Sequence, residues 1–140
     1  MSSEITIRSG LSVRSGNVNY NPGLATFRAS LLGTAKGPTP GVLTVTTTGL
    51  SVSFTQLVQP GVYRIKNYDA TNYVEYGILV GSVFYPIGEL LPGEEYVLRF
   101  SRNLGEGDTV PGTGTTASTN SFYLRANTAP CDMLVEAFES

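Results

Sequence analysis

The 140-residue chain contains no histidine, no tryptophan and a single cysteine, and only 14% of its residues are charged. The missing histidine removes the commonest general base and the commonest imidazole metal ligand. One cysteine permits no intrachain disulfide, which excludes a disulfide-stapled secreted scaffold. With one cysteine and no histidine, a zinc site lacks its usual donors as well. The opening residues Met1-Ser2-Ser3-Glu4 show no basic segment followed by an apolar run, and apolar runs such as Gly77-Ile78-Leu79-Val80 are too short to cross a bilayer. No Asn-x-Ser/Thr sequon occurs. The expectation is a protein made and folded in a reducing cytoplasm, with no membrane partner. Lys and Arg are scattered singly and the formal net charge is −2, so no basic cluster is available to neutralise a row of phosphates, and nucleic acid is not an expected partner.

What is abundant is punctuation. Sixteen glycines and eight prolines interrupt the chain at short intervals, leaving little room for helices of ordinary length. Between the breaks the sequence alternates with period two. Ala25, Phe27, Ala29 and Leu31 fall on one face, with Thr26, Arg28 and Ser30 on the other. Leu50, Val52 and Phe54 alternate with Ser51, Ser53 and Thr55; Tyr96, Leu98 and Phe100 with Val97, Arg99 and Ser101; Phe122, Leu124 and Ala126 with Tyr123 and Arg125. Each segment predicts a half-buried antiparallel strand. Further strands are expected near Ile5–Arg8, Val42–Thr46, Gly61–Asn67, Asn72–Val80, Ser82–Pro86 and Met133–Phe138, with Gly81 dividing a hairpin and the threonines at 46–48 favouring strand over helix. The fold class is all-β. The expected architecture is an antiparallel β-sandwich, with the jelly roll among its forms and a closed barrel as the alternative.

Three segments depart from the strand pattern. Residues 1–23 carry the small echo Ile7-Arg8-Ser9-Gly10 and Val13-Arg14-Ser15-Gly16, followed by a polar stretch, and are expected to form an extended arm ahead of a sandwich domain over 24–140. Lys36-Gly-Pro-Thr-Pro-Gly41 is expected to be a stiff connector, because proline donates no ladder hydrogen bond. Residues 105–120 are a long Gly/Thr/Ser loop without apolar anchors.

Tests for chemistry give little. Glu75, Glu89, Glu94 and Glu95 are the carboxylates a glycosidase would pair, but Glu89, Glu94 and Glu95 flank the Pro92-Gly93 turn, where exposed charge is ordinary. Glu106 and Asp108 lack the ordered further oxygens of a calcium loop. Cys131 reads as a small buried residue. The chain is therefore expected not to be an enzyme and to use no metal or cofactor. A low-charge surface rich in Tyr, Thr and Ser suits contact with other proteins. The expected contact residues are Ile5, Ile7, Leu11 and Val13 in the arm, and Tyr73, Tyr76 and Tyr85 in and after the hairpin. In an alternative reading, those tyrosines stack on sugars in a carbohydrate- or receptor-binding module.

Residues Val62-Tyr-Arg-Ile-Lys-Asn-Tyr-Asp-Ala-Thr-Asn-Tyr-Val-Glu-Tyr-Gly77 read as strand, Asn/Asp turn and strand. Phe84-Tyr-Pro-Ile-Gly-Glu-Leu-Leu-Pro-Gly-Glu94, Tyr96–Arg99, Phe122–Ala129 and Leu134–Phe138 follow in order. This succession, over roughly 61–140, resembles small virion proteins of tailed bacteriophages. The resemblance implies a structural subunit of the particle, with no catalytic role. The leading expectation is a capsid decoration, or cement, protein located in the virion. It would bridge major capsid protein subunits as a homo-oligomer, with a trimer favoured by analogy with the three-fold positions of icosahedral shells. A neck, head–tail adaptor or tail-associated subunit is the second expectation.

Overall fold

In a computed structural model, the described residues are 4–30, 37–52, 57, 60–100 and 120–139. Among them the chain forms twelve strands and no helix: β1 (Glu4–Gly10), β2 (Val13–Ser15), β3 (Val18–Tyr20), β4 (Leu24–Ser30), β5 (Thr39–Val45), β6 (Leu50–Ser51), β7 (Pro60–Asn67), β8 (Val74–Val80), β9 (Val83–Leu90), β10 (Glu95–Arg99), β11 (Asn120–Ala126) and β12 (Cys131–Glu139). The all-β expectation holds. The loop expected at 105–120 lies, but for Asn120, outside the described residues.

The chain divides into two compact units, residues 1–35 with Ser140, and residues 36–139. The larger unit contains two four-stranded antiparallel sheets, ordered β10-β7-β12-β5 and β6-β11-β8-β9. Their inward residues form one core: Val45, Ile65, Met133 and Val135 from the first sheet meet Val74, Leu90, Phe122 and Leu124 from the second. Alternation explains the core directly. Phe122, Leu124 and Ala126 are buried while Tyr123 and Arg125 face outward, as a strand with one covered face requires. The arrangement is that of an open β-sandwich; these strand orders do not establish a jelly roll.

Edge strands show how local chemistry limits pairing. The expected connector at 36–41 becomes strand from Thr39 onward, and β5 tolerates Pro40 because it lies at the edge of its sheet. At the opposite edge of the second sheet, β9 contains Pro86 and an irregular register against Tyr76 and Gly77. The threonines at 46–48 form a turn, contrary to the strand expectation. Gly49 N–H donates to Thr46 O at 3.1 Å, and the Thr46 and Thr48 hydroxyls lie 2.9 Å apart. Hydroxyl side chains able to bond locally compete with a ladder in this way. Gly81, at φ +60°, closes the β8–β9 hairpin between the paired residues Val80 and Val83, the left-handed conformation that a two-residue hairpin turn needs.

The smaller unit differs from the expected extended arm. Leu24–Ser30, expected to open the sandwich, pairs instead with β1 through seven successive residue pairs, from Glu4↔Ser30 to Gly10↔Leu24. Beyond them β2 and β3 pair from Val13↔Tyr20 to Ser15↔Val18. Residues 4–30 are thus a β-ribbon made of two successive two-stranded sheets, interrupted at 11–12 and 21–23, with the chain folded back at Gly16-Asn17. The echo at 7–10 and 13–16 places one copy at the end of β1 and the other at the start of the ribbon tip. Period two could not reveal this, because a ribbon strand and a sheet strand alternate alike.

Candidate protein-interaction surfaces

The sandwich concentrates its polar chemistry where the chain changes sheet. The connections β5–β6, β7–β8, β9–β10 and β11–β12 all cross between sheets, and hydrogen bonds tie them together. Asn67 is fully buried at the end of β7. Its Nδ2 donates to the carbonyls of Asn72 at 2.8 Å, Leu90 at 3.2 Å and Leu91 at 3.4 Å, and its Oδ1 accepts from Asp69 N–H at 2.9 Å. Its backbone exchanges bonds with Glu94 O and Gly93 N–H. Asp69 Oδ1 accepts from the N–H groups of Thr71 and Asn72, at 2.8 and 2.6 Å. These two backbone donors hold the Asp69 carboxyl below its ordinary pKa. Thr128 Oγ1 donates to Asn72 Oδ1, Asn127 N–H to Tyr73 O, and Tyr68 N–H to Asp132 O. Ala126 N–H reaches Thr46 O.

The motif residues that carry the virion-protein resemblance, Asn67, Asp69, Asn72, Pro92-Gly93-Glu94 and Thr128, therefore meet at one end of the sandwich. Sequence reading saw them as separate turns. Their common role is to satisfy backbone groups where strands leave both sheets, a need that every buried turn has.

Three of the four carboxylates considered for catalysis, Glu75, Glu94 and Glu95, are similarly occupied. Glu75 accepts from Arg125 Nε and Nη2 at 3.0 and 2.6 Å, and Arg125 lies 4.9 Å from the centre of the Phe84 ring. Glu89 stands opposite Glu75 in the β8–β9 register. Glu94 Oε2 accepts from Leu91 N–H at 2.8 Å. Glu95 bonds Arg64, which also reaches Glu136 at 3.1 Å across β10, β7 and β12; the guanidinium holds the Glu95 carboxyl low. Cys131 is buried, donates to Ala129 O at 3.4 Å, and has its thiol pKa pushed up by burial and then by Asp69.

The expected contact residues separate into two groups. In the ribbon, residues directly opposite share a face. The register therefore sets Ile5, Ile7, Ala25, Phe27 and Ala29 on one apolar face and Thr6, Arg8, Thr26 and Arg28 on the other. Ile5 and Ile7 are half-buried, whereas Phe27 is 58% exposed and Leu24 66% exposed. Val13 shares a face with Tyr20, both exposed. Leu11 is 63% exposed, beside a shallow depression lined by Gly10, Ser12, Asn21, Gly23 and Leu24. Phe27, Leu24, Val18 and Tyr20 belong to this exposed set and were not among the expected contacts. The alternation of 25–31 was visible, but its apolar face was assigned to the core.

The three tyrosines are not brought together. Tyr73 is half-buried ahead of β8, where its carbonyl accepts from Asn127. Tyr76 packs against the core and over Gly88. Tyr85 pairs with Ile78 further along and is exposed, with Val80, Val83 and Ile87, near the β8–β9 turn. Five strand positions separate Tyr73 from Ile78, roughly 16 Å, so the three do not form one stacking platform. Searches against protein-family models, curated proteins and solved structures find no match to this chain.

Proposed function

We propose that the chain is a structural subunit of a tailed-phage particle: a non-enzymatic decoration protein that bridges neighbouring major capsid protein subunits, itself assembled as a trimer. One observation carries the reading. The β-ribbon at 4–30 leaves Leu11, Val18, Tyr20, Leu24 and Phe27 more than half exposed, while the sandwich has a core built from its own two sheets. Two-stranded ribbons are marginal in water alone, so an apolar ribbon gains stability from a partner surface. The ordered motif resemblance over 61–140 supplies the phage context, and the low charged fraction suits broad protein contact.

Copy number tests the proposal. Quantitative mass spectrometry of purified particles should find the chain in numbers comparable with the major capsid protein. A single ring's worth of copies would place it at the neck instead, and absence from particles would overturn the reading. Purified protein added to undecorated heads should also raise their heat resistance.

A further inference from the structure

We infer that the charge-free face of the β-ribbon at 4–30 is a self-association face, on which copies of this chain pack ribbon to ribbon. The inference deepens the particle-subunit reading by naming the contact that assembles its oligomer, and leaves the capsid contacts to other surfaces.

Register separates charge from apolar surface in both parts of the ribbon. Between β1 and β4, Ile5, Ile7 and Ser9 stand opposite Ala29, Phe27 and Ala25 on one face. Between β2 and β3, Val13 and Ser15 stand opposite Tyr20 and Val18. Glu4, Arg8, Arg14 and Arg28, the charged residues of 1–35, all fall on the reverse faces. The two parts also keep one phase. Odd-numbered residues carry the apolar face from Ile5 to Val13, with residues 11 and 12 between the paired segments. The return strand has three residues there, 21–23, and the extra one moves its apolar positions from even Val18 and Tyr20 to odd Ala25, Phe27 and Ala29. One extra residue opposite a strand is the arrangement of a β-bulge, and here it keeps the apolar side continuous along the ribbon.

Charge and area point to a second copy as the occupant. Residues 1–35 carry three arginines against one glutamate, so two ribbons meeting by their charged faces would repel each other. Meeting by the charge-free faces, they hold those charges on the outside of two layers that are themselves about 10 Å apart. That separation exceeds the Debye length of about 8 Å at physiological salt, so the repulsion is screened. Phe27 is 58% exposed, Val18 55%, Tyr20 54% and Val13 40%, and Ile5 and Ile7 are half-buried. These side chains offer roughly 500 Å² per copy, so two copies bury ~1,000 Å², the lower limit for a specific interface. A second copy brings a face of the same length, width and charge-free character, and no charge is buried without a partner. Three ribbons that turn this face toward a common axis satisfy it in the same way, as a trimer requires. An interface of this size is reversible, so association follows concentration.

The test is sedimentation equilibrium of the full chain over a wide range of concentration. The parent should associate reversibly. Phe27→Asp and Val18→Asp, one in each part of the ribbon, should each weaken association at least tenfold. Thr26→Asp and Asn19→Asp place the same charge on the reverse faces and should stay within threefold of the parent, which separates loss of the face from loss of the ribbon. Equal weakening by all four variants, or by none, overturns the inference. A chain that is monomeric at every concentration overturns it as well. If such a monomer decorates heads and Phe27→Asp stops it, the face takes a foreign partner, the particle reading survives and this inference fails. If the variants show the expected pattern while the chain is absent from particles, the self-association face survives and the particle reading fails.

Discussion

At the scale of single residues, the sandwich depends on groups that look like ordinary turn formers. Asn67 is the strongest case, since one buried amide serves backbone groups in the β7–β8 and β9–β10 connections. Asn67→Ala would leave those carbonyls and the Asp69 N–H without their partner. The expected loss is about 2–3 kcal/mol, the range for orphaned buried polar groups, read as a lower urea midpoint with an unchanged slope. Asp69 and Glu95 give the acid response its sign. Both folded-state pKa values are depressed, by backbone donors and by Arg64 respectively. Their contribution is therefore present above the ordinary carboxylate range, ~4, and is lost as pH falls through the lower folded-state values. Asp69→Asn keeps an oxygen that can accept from Thr71 and Asn72 but removes the titration. Urea midpoints measured from pH ~6 down to ~2 should fall less steeply for this variant than for the parent. An unchanged slope would show that Asp69 does not contribute to the acid response.

At the scale of elements, the contrast is between strands that share a core and strands that do not. β7, β11 and β12 each bury most of one face, whereas β1 and β4 have only each other as partners among the described residues. Local opening is easiest where little apolar surface is covered. Trypsin should therefore cut after Arg14 and Arg28 well before Arg64 or Arg125, which sit in strands paired on both sides. Mass spectrometry of a short digestion time course would show the order. Early cleavage at Arg64 would contradict the assignment of stability to the sandwich. Resemblance and fold also meet at this scale. The Asn67–Asn72 and Pro92–Glu94 turns were legible as turns, because Asn, Asp, Pro and Gly have local conformational preferences. That they bond to one another was not legible, because partners 23 to 56 residues apart are brought together only by the sheets.

At the scale of the molecule, the division at residues 35 and 36 makes a prediction that an arm of 23 residues would not. Removing residues 2–20 would strip β4 of its partner strand β1, so the informative truncation removes residues 2–35. The remaining chain should stay folded, with a β-type circular dichroism spectrum. Its melting temperature should change by no more than about 5 °C, the shift that ~1 kcal/mol produces in a domain of this size. A larger fall would show that the sandwich depends on the ribbon for its own stability.

The sequence by itself determined the all-β class and excluded histidine chemistry. Period-two alternation between closely spaced Gly and Pro breaks leaves strands as the economical solution, and a chain without histidine lacks the usual base and ligand. It also placed Cys131 and the face of Phe122, Leu124 and Ala126 inside, because three alternating apolar residues in a strand need cover. Only the tertiary structure decided what supplies that cover. Leu24–Ser30 and Phe122–Ala126 have the same alternation, yet the first forms a ribbon with Phe27 exposed and the second lines the core. Alternation specifies that a strand has an apolar face, whereas pairing and burial are settled by residues far away in the chain. For β4, the described structure provides a ribbon partner on one edge and leaves the other edge open.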